Sequence, residues 1–109
     1  MRAALIAGGW LWAVAIVFLS LTPRLPTIDV EHGDKLGHLL AYGLLMFWFC
    51  FLYRHGDTRL AYGIGWIALG IALEFAQAAT GTRSFEIADM AANSLGVLLG
   101  WGISVTLLR

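Results

Sequence analysis

The sequence predicts an all-α membrane protein, a four-helix transmembrane bundle, from its length, its composition and the order of its apolar runs. The chain has 109 residues, of which 60% are hydrophobic and 13% charged. Soluble domains average about 45–50% apolar and about 25% charged residues. Because a spanning helix takes about 20 residues, four such helices would use roughly 80 and leave about 29 for ends and loops. We therefore expect one transmembrane domain.

The composition also excludes other classes of protein. Seven basic and seven acidic residues cancel, so bulk charge gives no reason to expect nucleic-acid binding. The abundance of large apolar residues excludes intrinsic disorder. Cys50 is the one cysteine in the sequence, which permits neither an internal disulfide nor a cysteine-based zinc cluster. We expect Cys50 to be a small buried hydrophobic residue.

The first two spans are bounded by helix-breaking and helix-capping residues. The first, over residues 3–21, ends at Thr22–Pro26, whose two prolines cannot continue a helix. This run is longer than the core of a secretory signal and precedes no small-residue cleavage site, so we expect a retained span. The second span, over residues 36–53, follows Asp34, a natural N-cap.

The last two spans follow in the same way. The third covers residues 60–80 and ends at Gly81, and the fourth covers residues 87–108 after an N-cap at Ser84. Helices of these lengths reach across a hydrocarbon layer of about 30 Å. We expect five aromatic residues of the first two spans to face lipid: Trp10, Trp12, Phe47, Trp48 and Phe49.

Small residues in the fourth span predict close helix packing. Gly96 and Gly100 form a GxxxG step, with Ala92 one turn earlier. Helices in lipid associate where small residues let their backbones approach. The step predicts close packing inside the bundle and leaves open a homo-oligomer through Gly96 and Gly100.

The distribution of basic residues predicts the orientation. Four spans place both termini on one side of the membrane. The side with the termini carries Arg2, Arg54, Arg59 and Arg109, and the opposite side carries Arg24, Lys35 and Arg83. Since basic residues favour the cytoplasmic side, we expect a multi-pass protein of the plasma (inner) membrane with both termini in the cytoplasm.

Polar residues interrupt three of the spans at helical spacing. Residues three or four apart lie on one face of a helix. They are Asp34, His38 and Tyr42 in the second span, Glu74 and Gln77 in the third, and Asp89 and Asn93 in the fourth. The second span begins, the third ends and the fourth begins on the side opposite the termini. All these residues therefore fall in one half of the bilayer, and we expect no ionisable residue in the other half.

The cost of charge in a membrane indicates that these residues face one another. A charge at mid-membrane costs about 2.5–3.5 kcal/mol on insertion scales. Glu74 and Asp89 can offset this cost by pairing with Arg83 or Lys35, and His38 can bond to either carboxylate. The positive ends of two helix dipoles also point toward this rim. We expect a polar pocket in the outer half of the bilayer, open to the outer face.

The polar segments resemble a known family. The segments Asp34–Tyr42 (DKLGHLLAY), Glu74–Gln77 (EFAQ) and Asp89–Gly100 (DMAANSLGVLLG), together with Arg83, resemble the VanZ-like family of small integral membrane proteins. The resemblance covers residues 34–100 and implies a four-helix membrane domain. It also implies a bacterial cell-envelope role, since the family is named for a protein linked to low-level antibiotic resistance, against the glycopeptide teicoplanin.

Our leading hypothesis is a non-catalytic protein whose pocket binds an anionic or amphiphilic ligand. A lipid headgroup, a cell-wall lipid intermediate or a lipophilic glycopeptide (lipoglycopeptide) antibiotic would each fit this chemistry. The candidate ligand-binding residues are Asp34, Lys35, His38, Tyr42, Glu74, Gln77, Arg83, Asp89 and Asn93.

Two other function classes stay open. An intramembrane hydrolase or transferase acting on a lipid phosphoester would use Asp89 or His38 as base, with Arg83 and Lys35 stabilising the developing charge. No catalytic motif supports it. A small transporter subunit is the other alternative. His38, Glu74 and Asp89 offer suitable donors for a divalent metal, but no ligand spacing such as HExxH accompanies them, so we predict no metal or other cofactor.

Overall fold

A computed structural model describes residues 1–21, 33–80 and 87–108, with the backbone alone at residues 33–35 and 80. All regular secondary structure in these ranges is helical, as predicted. The helices are α1 (Arg2–Leu21), α2 (Gly33–Leu52), α3 (Gly56–Thr80) and α4 (Ile87–Leu107). Successive helices run antiparallel, so α2 begins, α3 ends and α4 begins at the same end of the bundle.

The helix boundaries follow the predicted spans closely, with two informative differences. α2 begins at Gly33, so Asp34, which we expected to be its N-cap, is the second residue of the helix. α1 ends at Leu21, directly before Thr22 and Pro23. α3 begins at Gly56, four residues earlier than the apolar run predicts. The turn between α2 and α3 is correspondingly short, and Arg59, which precedes the predicted third span, lies in the first turn of α3.

Three helices, α1, α3 and α4, are long and apolar enough to cross a membrane. The apolar stretch of α2, Leu36–Leu52, is shorter. The bundle measures 40 Å along its longest axis, which exceeds the hydrocarbon thickness of about 30 Å. A transmembrane bundle is therefore the fold.

The closest helix contact is between α2 and α4, and small residues make it possible. A Cβ atom at Gly96 would overlap the carbonyl oxygen of Leu39, and one at Gly100 would overlap that of Gly43. The backbones therefore touch at the GxxxG step, which confirms the predicted close packing. This face of α4 is covered by α2 within the chain; a homo-oligomer through Gly96 and Gly100 stays a prediction.

Aromatic residues join α1, α2 and α3, which corrects the expectation that they all face lipid. Phe49 is only 1% exposed, because its ring packs against Trp10 and Trp66 at centroid distances of 5.5 and 5.2 Å. The indole of Trp48 donates a hydrogen bond to the Leu5 carbonyl (2.9 Å). Aromatic pairs of this geometry stabilise a core beyond the area that they bury.

A second indole hydrogen bond completes the contact between α1 and α2. The indole of Trp12 donates a hydrogen bond to the Ala41 carbonyl at 3.1 Å. Each of the two helices therefore donates one indole hydrogen bond to the backbone of the other.

Cys50 is fully buried, as predicted.

Candidate functional site

Polar side chains of α2, α3 and α4 are buried inside the bundle and form what we call the polar cluster. Each member is at most 4% exposed. The members are Tyr42, Glu74, Gln77, Asp89 and Asn93. Polar groups inside a membrane bundle must find partners or face a cavity, so these five side chains need hydrogen-bond partners within the bundle.

The polar cluster lies in the half of the bundle opposite the chain ends. At 1.5 Å per residue, Tyr42 lies about 14 Å from the start of α2, Glu74 about 9 Å from the end of α3 and Asn93 about 9 Å from the start of α4. These three helix ends share one side. All three depths fall within half of a hydrocarbon layer of about 30 Å.

Gly70 shows that the three helices meet at this depth. A Cβ atom placed on Gly70 would lie 3.0 Å from Cβ of Asn93 and 3.4 Å from Cε2 of Tyr42. Without a side chain at position 70, the amide of Asn93 and the ring of Tyr42 pack directly on the α3 backbone. The contact joins α2, α3 and α4 at one point.

Acidic and amide groups surround this contact. Glu74, one turn after Gly70, lies close enough to Tyr42 to act on it electrostatically. Gln77, a further turn along α3, donates a hydrogen bond from Nε2 to the Ser20 carbonyl at 2.5 Å. Asp89 lies one turn before Asn93, is 3% exposed and has interaction partners.

The first helix also contributes to the polar cluster, which we did not predict. Ser20 is buried, and its carbonyl accepts the hydrogen bond from Gln77. Apart from Arg2 and the two tryptophans, Ser20 is the one polar side chain of α1. Because the contact is made by the Ser20 backbone carbonyl, the residue type at position 20 does not signal it.

Two buried oxygen atoms of the polar cluster are available for hydrogen bonds to a ligand. Neither the hydroxyl of Tyr42 nor Oδ1 of Asn93 has a hydrogen-bond partner among the described residues. Leaving a buried polar group without a partner costs about 1–3 kcal/mol. A group that could donate to Asn93 Oδ1, and exchange a hydrogen bond with Tyr42, would remove that cost.

The remaining candidate residues are not members of the polar cluster. His38 is half-buried one turn before Tyr42 and has interaction partners. The side chains of Asp34 and Lys35, and the whole of Arg83, lie outside the described residues, as do the ion pairs predicted for them. Within the described ranges no three His, Cys, Asp or Glu side chains gather as metal ligands.

Comparison with known proteins places the chain in a family. The family model described as VanZ/LLP1 matches residues 4–109. The chain belongs to the VanZ/LLP1 family. The resemblance seen in residues 34–100 is thereby confirmed and extends over nearly the whole chain. No curated protein and no solved structure gives a significant match.

The opposite end of this VanZ/LLP1 protein holds a buried arginine that sequence reasoning missed. Arg59 is 6% exposed and lies in the first turn of α3, so a basic residue that we counted only toward the orientation belongs to the packed interior. Its guanidinium donates to the carbonyls of Tyr53 (2.9 Å), Cys50 (2.8 Å) and Leu108 (3.0 Å). The last carbonyls of α2 and α4 lack partners within their helices and carry the negative end of the dipole, so they stabilise the charge.

Two exposed arginines of the VanZ/LLP1 protein lie beside Arg59. Arg2 donates to the Leu52 carbonyl at 2.6 Å, and Arg54 donates to that of Leu108 at 3.4 Å. The two ends of the bundle therefore differ in chemistry. The end with the chain termini has arginines on helix C-termini, and the opposite half has carboxylates and amides in the interior.

Proposed function

We propose that this VanZ/LLP1 protein is a non-catalytic membrane protein whose polar cluster binds the polar part of an amphiphile. The observation that supports the proposal most directly is the pair of buried oxygens, on Tyr42 and Asn93, without hydrogen-bond partners among the described residues. The Tyr42 ring and the Asn93 side chain that carry these oxygens both pack against Gly70, where three helices meet. A polar ligand group could form hydrogen bonds with these oxygens, whereas the hydrocarbon tail of a lipid could not.

The side chains of the polar cluster define the chemistry of the ligand. Asn93 and Tyr42 bond to hydroxyl and amide groups, while Glu74 and Asp89 favour N–H donors or a cation. Such groups are common to phospholipid headgroups, lipid-linked cell-wall intermediates and lipophilic glycopeptides such as teicoplanin. The apolar tail of each would stay in the surrounding lipid.

The charged residues of the predicted rim belong to the same proposal. In the sequence, Asp34 and Lys35 stand at the start of α2, and Arg83 stands between α3 and α4. Lys35 and Arg83 would attract a phosphate or carboxylate of the ligand. The polar cluster would form hydrogen bonds with its hydroxyl and amide groups.

Binding to the purified protein tests the proposal. We would reconstitute the chain in phosphatidylcholine nanodiscs and measure the affinity for two probes, teicoplanin and a polyprenyl-diphosphate-linked sugar. Asn93→Leu should lower the affinity for the bound probe at least about tenfold, which corresponds to 1.4 kcal/mol. The loss follows from removing the amide while keeping the side-chain volume.

Ser104→Ala is the matched control for this experiment. Ser104 is buried on the same helix but donates to the Gly100 carbonyl at 2.7 Å, far from the polar cluster. Its substitution should leave the affinity unchanged. Equal affinity for wild type and Asn93→Leu, or binding of neither probe to the wild type, would reject the polar cluster as a site for these amphiphiles.

We also propose that both termini lie in the cytoplasm and that the membrane is the plasma membrane. The side with the termini carries four basic residues and the other side three. In a Cys50→Ala background, Arg24→Cys should react with an impermeant maleimide added to intact cells, and Asp57→Cys should react only after permeabilisation. The reverse pattern would invert the orientation and make the polar cluster face the cytoplasm.

An effect on antibiotic susceptibility would follow from the same binding. Expression in a teicoplanin-sensitive bacterium should raise the inhibitory concentration of teicoplanin, and Asn93→Leu should abolish the increase. An increase that persists in Asn93→Leu would separate the resistance phenotype from the polar cluster.

A further inference from the structure

A second candidate site lies on the opposite half of the molecule, on the surface between α1 and α3. A groove of about 380 Å³ runs there and exposes almost exclusively apolar atoms. Its lining residues are Trp10, Ala61, Tyr62, Gly65, Trp66 and Leu69. From position 61 to position 69 it follows α3 for about 12 Å, most of the depth of one leaflet.

A basic group lies at the end of this groove nearest the chain ends. The Arg2 guanidinium lies 5.1 Å from the centre of the Tyr53 ring. That ring stacks on Tyr62, with centroids 5.3 Å apart and planes 15° apart. Because Tyr62 lines the groove, only one aromatic ring separates the guanidinium from the groove.

The charge around Arg2 favours an anion. Arg2 and Arg54 are exposed at this end, beside the buried Arg59. Asp57 is the one acidic residue between positions 53 and 60. Of the five N–H donors of a guanidinium, Arg2 uses one in a hydrogen bond described by the structure, to the Leu52 carbonyl.

We propose that this corner binds one anionic phospholipid from the leaflet that contains the chain ends. The lipid phosphate bonds to the Arg2 guanidinium, and one acyl chain lies in the groove between α1 and α3. A phosphate paired with arginine gains charge-assisted hydrogen bonds, and an aromatic-lined groove is matched to a flexible hydrocarbon chain. An anionic headgroup is preferred because a zwitterionic one brings its own cation next to three arginines.

Native mass spectrometry in detergent tests the proposal with lipids of identical acyl chains. The probes are phosphatidylglycerol and phosphatidylcholine, titrated onto the purified chain. Wild type should bind phosphatidylglycerol about tenfold more tightly, a difference of 1.4 kcal/mol. Arg2→Gln should abolish this preference, since it removes the charge while retaining a polar side chain.

Filling the groove provides an independent variant with a matched control. A Cβ atom at Gly65 would meet nothing within 4 Å, so Gly65→Leu should occupy the groove without disturbing the fold and should lower the affinity for phosphatidylglycerol at least about fivefold. Gly102 is equally open and lines a groove on α4 of about 450 Å³. Gly102→Leu should leave the affinity unchanged.

Three results would overturn the proposal. They are equal affinity of wild type for the two lipids, an unchanged preference in Arg2→Gln, and equal effects of Gly65→Leu and Gly102→Leu. None of the three depends on the polar cluster, since Arg2→Gln, Gly65→Leu and Gly102→Leu change no residue of it.

Discussion

Gly70 determines how closely the polar side chains of α2 and α4 approach α3. The nearest atoms to a Cβ at this position are Cβ and Nδ2 of Asn93, at 3.0 and 3.1 Å. A Cβ atom is tied to its backbone and cannot rotate away, so any side chain at position 70 must displace α4 or Asn93. The missing side chain is therefore a requirement of the polar cluster.

We predict that Gly70→Leu destabilises the protein and separates Asn93 from Tyr42. Overpacking of this kind costs about 1–3 kcal/mol, which unfolding in mixed micelles would measure. Gly65→Leu, on the same helix but facing open space, is the control and should change the free energy of unfolding by less than about 0.5 kcal/mol. Equal effects of the two substitutions would contradict the packing at Gly70.

At the scale of the helices, α2 is the central element, and two kinds of contact hold it. Its middle lies directly on α4, where Gly43 faces Gly96 and Gly100. At its C-terminal end, the Cys50 carbonyl accepts a hydrogen bond from Arg59, which also donates to the Leu108 carbonyl at the end of α4. The first contact depends on the absence of side chains, and the second on a charge that satisfies free helix carbonyls.

We predict that Gly96→Leu separates α2 from α4. The Cβ would overlap the Leu39 carbonyl oxygen, and because backbone must move to relieve this overlap, the cost should reach about 3 kcal/mol or more. Gly102→Leu, on the same helix with open space around it, should be nearly neutral. A stable, native-like Gly96→Leu variant would show that the two helices do not touch at this point.

We predict that Arg59→Gln lowers the free energy of unfolding by about 3 kcal/mol, the value of one or two hydrogen bonds to a charged group. Arg54→Gln is the matched control, because Arg54 is exposed and its hydrogen bonds to Phe51 and Leu108 are 3.4 Å long. It should cost less than about 1 kcal/mol. A larger loss in Arg54→Gln than in Arg59→Gln would refute the role given to the buried guanidinium.

The sequence predicts the helices better than their ends and better than their partners. The apolar run closed by Pro23 locates the end of α1 because local chemistry decides that boundary. The start of α2 was predicted less well, since Asp34, expected as the N-cap, is the second residue of the helix. The start of α3 was not predicted, because the charge of Arg59 indicates a residue outside an apolar span. Only the folded chain brings the ends of α2 and α4 to that charge.

The burial of the polar cluster was predictable for a different reason. Charge in a membrane is costly, so Glu74 and Asp89 on separate helices had to turn inward. Their detailed surroundings were not predictable, because the contact at Gly70 depends on which glycine faces which side chain. The bond from Gln77 to the α1 backbone is of the same kind, since a carbonyl carries no sequence signature.

At the scale of the whole molecule, the two halves of the bundle hold different chemistry. The half near the chain ends has arginines on helix C-termini and an aromatic core, while the other half has buried carboxylates and amides. Both proposals depend on this division, the amphiphile at the polar cluster and the anionic phospholipid at Arg2. The central claim beneath them is that α2, α3 and α4 bring their polar side chains to one shared point.

Disulfide formation between α3 and α4 tests that claim most directly. In a Cys50→Ala background we would introduce Gly70→Cys with Asn93→Cys, oxidise in membranes, and count free thiols by a maleimide mass shift. The two Cβ positions are 3.0 Å apart, slightly below the spacing of about 3.5–4.5 Å in disulfides. The small displacement of α4 that a side chain at position 70 requires brings them into this range, so the pair should cross-link and take up no maleimide. Gly65→Cys with Asn93→Cys should stay reduced and take up two. Free thiols in the first pair, or equal cross-linking of both, would contradict the convergence of the three helices.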